Sequence, residues 1–434
     1  KRTFILGLYE NPENQSILNQ VREAGFNMVR SPSSVEYLDK LWNHGLYAWL
    51  NTGYAIDLSE DKESRIRQLN EMAASFADHP ALLVWEVPDE ALWNIWLGCI
   101  EYHAKEKSEL KERLNTLTDE EARKRLDALE KQAQEFAMDG DYEKWEAARN
   151  EMRGLVGLGP IPPQYQLSTA KERTLRMAQG FQDGYATMKK IDPNHPIWMN
   201  HAPRNSLEQL ALFSAAADIV GCDIYPVPSQ RTGHSDIADI SLSSVGAYTQ
   251  RMQASGPGKP VWMVLQGFGW GDLFPDMDPK KREEQRRPTR IESRFMAYDA
   301  IVHGARGILY WGTHAIEKES QLWKDLLDLV RELSDIQHVL SAPDHEIRPA
   351  IEIEQTWGSV DRGIVVLPKN VEGKLWLIVV NEWPEPIGFT MSDLQGYENS
   401  SFVDCKTGKK LTVKSGNLHT RIPGYGVYVF ENTR

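Results

Sequence analysis

The sequence predicts an α/β protein: a (β/α)8 barrel over residues 1–341, followed by a small all-β domain over 342–434. Three observations carry this. Eight short apolar segments alternate with helical patterns, as in βα units that close a parallel sheet. Residues 98–166 interrupt that rhythm with a charged, helically patterned stretch far longer than an ordinary βα loop. After Ser341 the helical patterns cease, and strand-like segments such as Gly363–Leu367, Leu375–Val380 and Gly426–Phe430 lie between turn residues, which suggests a β-sandwich.

The eight candidate strands are Phe4–Tyr9, Asn27–Arg30, Tyr47–Asn51, Leu82–Val87, Ile197–Asn200, Ile219–Tyr225, Val261–Gln266 and Gly307–Trp311. Ala178, Phe181, Tyr185 and Met188 recur at helical spacing before the fifth, and Leu322, Leu326, Leu329, Leu333 and Ile336 after the eighth. Within the insertion, Thr118-Asp-Glu-Glu121 reads as a capping box, with Leu126, Leu129, Ala133 and Phe136 on one face as far as Gly140. Tyr142, Trp145, Ala148 and Met152 continue on a second helix, so a helical hairpin is expected at the barrel rim. It suits a lid, an embellishment or a homo-oligomer contact equally.

The chain has 434 residues, 41% hydrophobic and 26% charged, with a net charge of -13 and a pI near 5.4. That balance argues against a nucleic-acid partner. No apolar run approaches the ~20 residues that span a bilayer. The sequence begins at Lys1 rather than Met, which reads as a secreted or periplasmic protein after removal of its signal peptide. Cys99, Cys222 and Cys405 lie far apart, with no disulfide or metal spacing. His201, His234, His303 and His314 form no metal-ligand set. The glycines around Gly269 lack the Lys-Ser/Thr of a phosphate loop, and no Gly-x-Ser-x-Gly elbow is present. Arg286, Arg287 and Arg290 read as a solvated loop. No cofactor and no metal are expected.

Functional groups of a barrel gather where its strands end. The strand ends here carry Tyr9 with Glu10, Arg30, Asn51, Asp89 with Glu90, Asn200 with His201, Asp223 with Tyr225, Gln266 with Trp270, and Trp311. Carboxylates, amides and an arginine can bond sugar hydroxyls, while aromatic rings stack on sugar C–H faces. The chain has 14 tryptophans; Trp270 and Trp311 fall where a sugar would stack, whereas Trp85, Trp198 and Trp262 read as packing. Cleaving a glycosidic bond requires an acid and usually a second carboxylate. Glu90 is the candidate acid, its pKa raised by Asp89 and by a semi-buried rim.

Four motifs in order carry a family resemblance. Asn27-Met-Val-Arg30, Trp85-Glu-Val-Pro-Asp-Glu90, Lys259-Pro-Val-Trp-Met-Val-Leu-Gln-Gly-Phe-Gly269 and Gly307-Ile-Leu-Tyr-Trp311 resemble strands two, four, seven and eight of the clan A glycoside hydrolases. The resemblance implies a hydrolase of poly- or oligosaccharides with Glu90 as acid/base and Trp311 at a subsite. Two positions depart from it: Asp89 stands for the usual Asn, and Gln266 for the nucleophilic Glu. Four explanations stay open. Gln266 is an engineered knockout, or the second carboxylate has moved to Asp223 (favoured) or Glu10. Alternatively, Asp89 and Glu90 serve a substrate-assisted hexosaminidase, or the barrel binds carbohydrate without cleaving it. Glu10, Arg30, Asp89, Asn200, His201, Tyr225, Gln266, Trp270 and Trp311 are the candidate substrate-binding residues.

Overall fold

The structure, a computed structural model, describes residues 3–202, 204–229, 241–354 and 363–433; His234 lies outside them. Eight parallel strands close a barrel: β1 (Ile5–Leu8), β2 (Met28–Ser31), β3 (Tyr47–Asn51), β4 (Leu82–Glu86), β5 (Ile197–His201), β6 (Ile219–Ile224), β7 (Val261–Gln266) and β8 (Ala305–Trp311). Closure runs through β1 and β8, where Ile5 pairs with Gly307 and Leu8 with Tyr310. The strands are nearly all buried apolar residues because both faces are covered, by helices outside and packed side chains within. Among the described residues no helix is long and apolar enough to cross a membrane.

Strand alternation decides what fills the interior. Tyr9, Trp49, Trp198 and Trp262 meet there, with ring centroids 5.1 Å apart for Tyr9–Trp49, 5.6 Å for Trp49–Trp198 and 5.4 Å for Trp198–Trp262. Such large rings need gaps opposite them. A Cβ on Gly307 would lie 2.7 Å from Trp262 Cδ1. The neighbouring tryptophan of β4 points the other way, and Trp85 Nε1 donates to Asp192 Oδ2 at 2.8 Å behind the barrel.

The insertion contains more helix than a hairpin. Helix Ala91–Asn115 leaves the rim directly after β4, then Glu120–Asp139 and Tyr142–Leu155 pack back on it around Leu110, Leu129, Ala133, Ala148 and Met152. The cap of the second helix is Asp119 rather than Thr118. Its carboxylate accepts from the N–H groups of Glu121 and Ala122, within reach of a residue that directly precedes the helix. Glu106 is buried beneath Arg149 and Arg153. Burial pushes its carboxyl up, but hydrogen bonds from His103, Arg153 and Arg149 hold it down at about 2.

The C-terminal strands are β9 (Ile351–Ile353), β10 (Ile364–Val371), β11 (Lys374–Asn381), β12 (Ile387–Met391), β13 (Ser401–Asp404), β14 (Lys410–Thr412), β15 (Leu418–Ile422) and β16 (Val427–Thr433). They form a five-stranded sheet, β10-β11-β16-β13-β14, and a three-stranded sheet, β15-β12-β9. The larger sheet is apolar on both sides. Trp376, Ile378, Val380, Val427 and Val429 join the barrel core, while Leu375, Leu377, Val379, Tyr428 and Phe430 face the smaller sheet.

Helix Ala170–Ile191 lies so close to the loop after β3 that a Cβ on Gly184 would stand 1.7 Å from the Ile56 carbonyl oxygen. On an open helix, Gly→Ala gains about 1 kcal/mol. Gly184→Ala is expected instead to lose about 1–3 kcal/mol through overpacking. Urea denaturation measures the sign; unchanged or increased stability would contradict this contact.

Candidate active site

Among the described residues, the C-terminal rim of the barrel gathers four carboxyl groups from β4, β6 or the turns just after them. Glu86 ends β4 facing inward and is fully buried. Tyr9 donates its hydroxyl to Glu86, and Asn51 Nδ2 donates to Glu86 Oε2 at 2.9 Å. Burial and the nearby Asp89 charge push the Glu86 carboxyl well above the ordinary range. Asp89 projects from the following turn and is reached by solvent. Asn200 Nδ2 donates to Asp89 Oδ1 at 2.9 Å and to Asp223 Oδ1 at 3.5 Å, bridging β4 and β6. Although solvent reaches the residue, the protein atoms crowded around its carboxyl raise Asp89 too, against the hydrogen bond from Asn200 and the Arg30 charge.

Glu90 has φ +50° and ψ 29°, the left-handed region, immediately before helix Ala91–Asn115. For a non-glycine residue this costs about 1–2 kcal/mol. The neighbouring backbone holds it there: Glu90 N–H donates to the Asn200 carbonyl at 3.1 Å, and Asn94 N–H to the Glu90 carbonyl at 2.9 Å. Strain that the surroundings enforce is characteristic of functional positions. The Glu90 side chain hydrogen-bonds Asp223, whose carboxyl is raised to about 7 by burial and by the Asp89 charge.

Among the described residues, two guanidinium groups face these acids. Arg30 lies 5.8 Å from the Tyr9 ring centroid, and its charge acts on Glu86 and Asp89. Arg204 lies 4.8 Å over Trp93 in the first turn of helix Ala91–Asn115, and its charge acts on Asp223. An aromatic wall completes the rim. Trp311 stacks on Tyr225 at 5.4 Å and 16°, and Phe268 meets both rings edge-on.

The structure thus brings Arg30, Asp89, Glu90, Asn200, Asp223, Tyr225 and Trp311 to one rim. It places four other expected residues elsewhere. His201 follows Asn200, so alternation turns it outward; it is buried against Ser214 Oγ at 3.1 Å, and burial lowers its pKa to about 4. Gln266 is fully buried. Its amide donates to the carbonyls of Val227 at 2.7 Å and Phe268 at 3.0 Å, and its oxygen accepts from Val227 N–H at 2.9 Å. Through these bonds it anchors the loop after β6. Glu10 is tied to Thr313 and, at 2.8 Å, to Lys318. Trp270 is 6% exposed, packed edge-on behind Phe268 and Tyr225.

Sequence reasoning placed Tyr9 at the end of the first strand but overlooked Glu86, Trp93 and Arg204 as site residues. The signal for Glu86 was available, since it shares the parity of Leu82 and Val84 and an inward strand-end carboxylate cannot be simple packing. Trp93 and Arg204 carry no such signal. One group of side chains that could ligate a metal, Asp299, His303 and Glu382, occurs among the described residues. His303 lies two residues before β8, at the opposite end of the barrel, with Nε2 3.0 Å from Glu382.

No family model and no curated protein matches this sequence. Solved structures do match. Gan42B, a GH42 β-galactosidase from G. stearothermophilus, superposes with a TM-score of 0.56 at 11% identity over 100% of both chains. A β-galactosidase from Bacillus circulans sp. alkalophilus gives 0.54 at 11% identity, over 100% of this chain and 99% of that one. The maltogenic α-amylase AmyB of Thermotoga neapolitana gives 0.50 at 9% identity, over 100% and 99%. At such identities the likeness is one of fold: this chain shares with these glycosidases the closed (β/α)8 barrel with a C-terminal β domain.

Proposed function

We propose that the chain is a glycoside hydrolase acting on a poly- or oligosaccharide, with Glu90 as the general acid. The observation that carries this reading is the hydrogen-bonded Glu90–Asp223 pair on the rim. Two carboxyls in contact do not both ionise, so one proton stays with the pair near neutrality. A leaving sugar oxygen needs that proton. Trp311, half-buried and stacked on Tyr225, offers a ring at the rim for stacking against a sugar.

The role of Asp223 follows from spacing. Carboxyls that flank a glycosidic bond stand about 5–5.5 Å apart in retaining enzymes and about 6.5–9.5 Å in inverting ones. A hydrogen-bonded pair is closer than either. Asp223 is therefore the proton partner of Glu90, and Asp89, open to solvent and aimed by Asn200, is the carboxylate offered to substrate. A second reading gives Asp89 the task of orienting a 2-acetamido group that attacks from the substrate itself; the adjacency of Asp89 and Glu90 favours it. Substrates lacking that group would then not turn over. Glycan binding without cleavage is the reading favoured by Gln266, which supplies no carboxylate on β7.

Glu90→Gln is expected to lower turnover of natural oligosaccharides by about 10²–10⁴-fold, the usual contribution of a general acid, while calorimetry still detects binding. Unchanged turnover would sink the assignment. No product from a broad oligosaccharide panel, despite binding to the native chain, would establish the non-catalytic reading.

Asp223 is ordinarily ionised above 3.8 but here keeps its proton to about 7. Its raised pKa makes folding less favourable as pH rises from about 4 through about 7. Asp223→Asn is therefore expected to raise Tm relative to the native chain more at pH 8 than at pH 4. The same variant should move the alkaline limb of kcat, because the pair that shares the proton loses one of its two carboxyls. A limb that stays in place would assign the proton elsewhere.

Gln266→Glu tests whether the amide masks a nucleophile. A carboxylate there would face the Val227 and Phe268 carbonyl oxygens, so the variant is expected to lose at least about 2 kcal/mol of stability and gain no activity. Increased turnover at undiminished stability would restore Gln266 to the site.

A further inference from the structure

Arg204 is, among the described residues of the rim, a cation whose position has no evident structural purpose. Among the described residues its guanidinium makes no hydrogen bond and no ion pair, and its Nε is buried without a partner. Its Cζ nevertheless lies 4.8 Å from the Trp93 ring centroid, a contact that holds it in one place. Burying part of a guanidinium without an acceptor is unfavourable, and the cost is recovered when an anion arrives. Trp93 lies in the first turn of helix Ala91–Asn115, which has no side-chain cap. The positive end of that helix therefore adds to the same field.

The rim is less negative than four carboxyl groups imply. The Glu90–Asp223 pair retains a proton, Glu86 is held towards its neutral form, and Arg30 and Arg204 add two fixed positive charges. An anion next to Arg204 is thus not repelled as it would be by four ionised acids.

We propose that Arg204, braced on Trp93, is the recognition group for an acidic substituent, so that the substrate of this rim is a saccharide carrying a carboxylate or sulfate beside the bond at Glu90. Arginine suits either group because its fork binds both bidentately. The proposal rests on the rim being a saccharide site, and it extends that reading to the substrate's charge.

The test is calorimetric, at low salt, with two matched pairs of probes: trigalacturonic acid against its methyl ester, and a sulfated galactotriose against unsulfated galactotriose. The native chain is expected to prefer the acidic member of one pair by about tenfold or more, the scale of one charge-assisted hydrogen bond. The pair showing the preference identifies carboxylate or sulfate. Arg204→Gln should bring that ratio close to one, while Arg204→Lys, which keeps the charge without the fork, should retain part of it. A ratio measured on one sample is insensitive to how much of a variant is folded. Equal affinities within both pairs, undetectable binding of the acidic probes, or a preference that survives Arg204→Gln would overturn the proposal. The same probes incubated with native chain and Glu90→Gln separate the two claims. An acid preference without hydrolysis rejects the hydrolase and keeps the Arg204 assignment, whereas hydrolysis without acid preference does the reverse.

Discussion

A closed parallel barrel has no free sheet edge, and its strands alternate strictly between an interior that must be filled and an exterior covered by helices. Most of the site depends on that constraint. Inward positions low in the barrel take Trp49, Trp198 and Trp262, with Gly307 leaving room for the last. One step further along the strands, the inward positions are Asn51, Glu86, Asn200 and Asp223, standing above an aromatic floor. A polar ring over a dry floor forces its carboxyl groups to share protons and hydrogen bonds, because hydration is available only from the open side.

The four acids consequently divide by environment. Glu86 is sealed and bonded to Tyr9 and Asn51, Asp223 is sealed and bonded to Glu90, and Asp89 meets solvent. Similar groups thereby acquire separate proton affinities, which is the usual way that a pocket obtains an acid and a base together. The backbone contributes as well, since the strained turn at Glu90 aims its side chain across to β6 rather than along the following helix.

The parts added to the barrel obey the same burial logic. The larger C-terminal sheet is apolar on both faces because it is sandwiched between barrel and smaller sheet. The insertion has a core of its own, and its first helix carries Trp93 to the rim, under Arg204. A segment legible in sequence only as an embellishment thus supplies one wall of the candidate site.

The sequence by itself determined the barrel, its eight strands to within a residue or two and the β region after Ser341, and it marked Asp89, Glu90 and Asp223 as strand-end acids. Apolar periodicity and strand-end chemistry are local properties, and local properties are readable from one chain. Tertiary structure alone decided which strand-end residues face one another. His201 and Asn200 are neighbours in sequence, yet one backs a helix and the other bridges two acids. Gln266 sits on the inward face of β7 but is covered by the loop after β6, and Arg204 finds Trp93 from a distant turn. Those outcomes depend on alternation and on contacts between residues far apart in the chain, and no window along the sequence contains them.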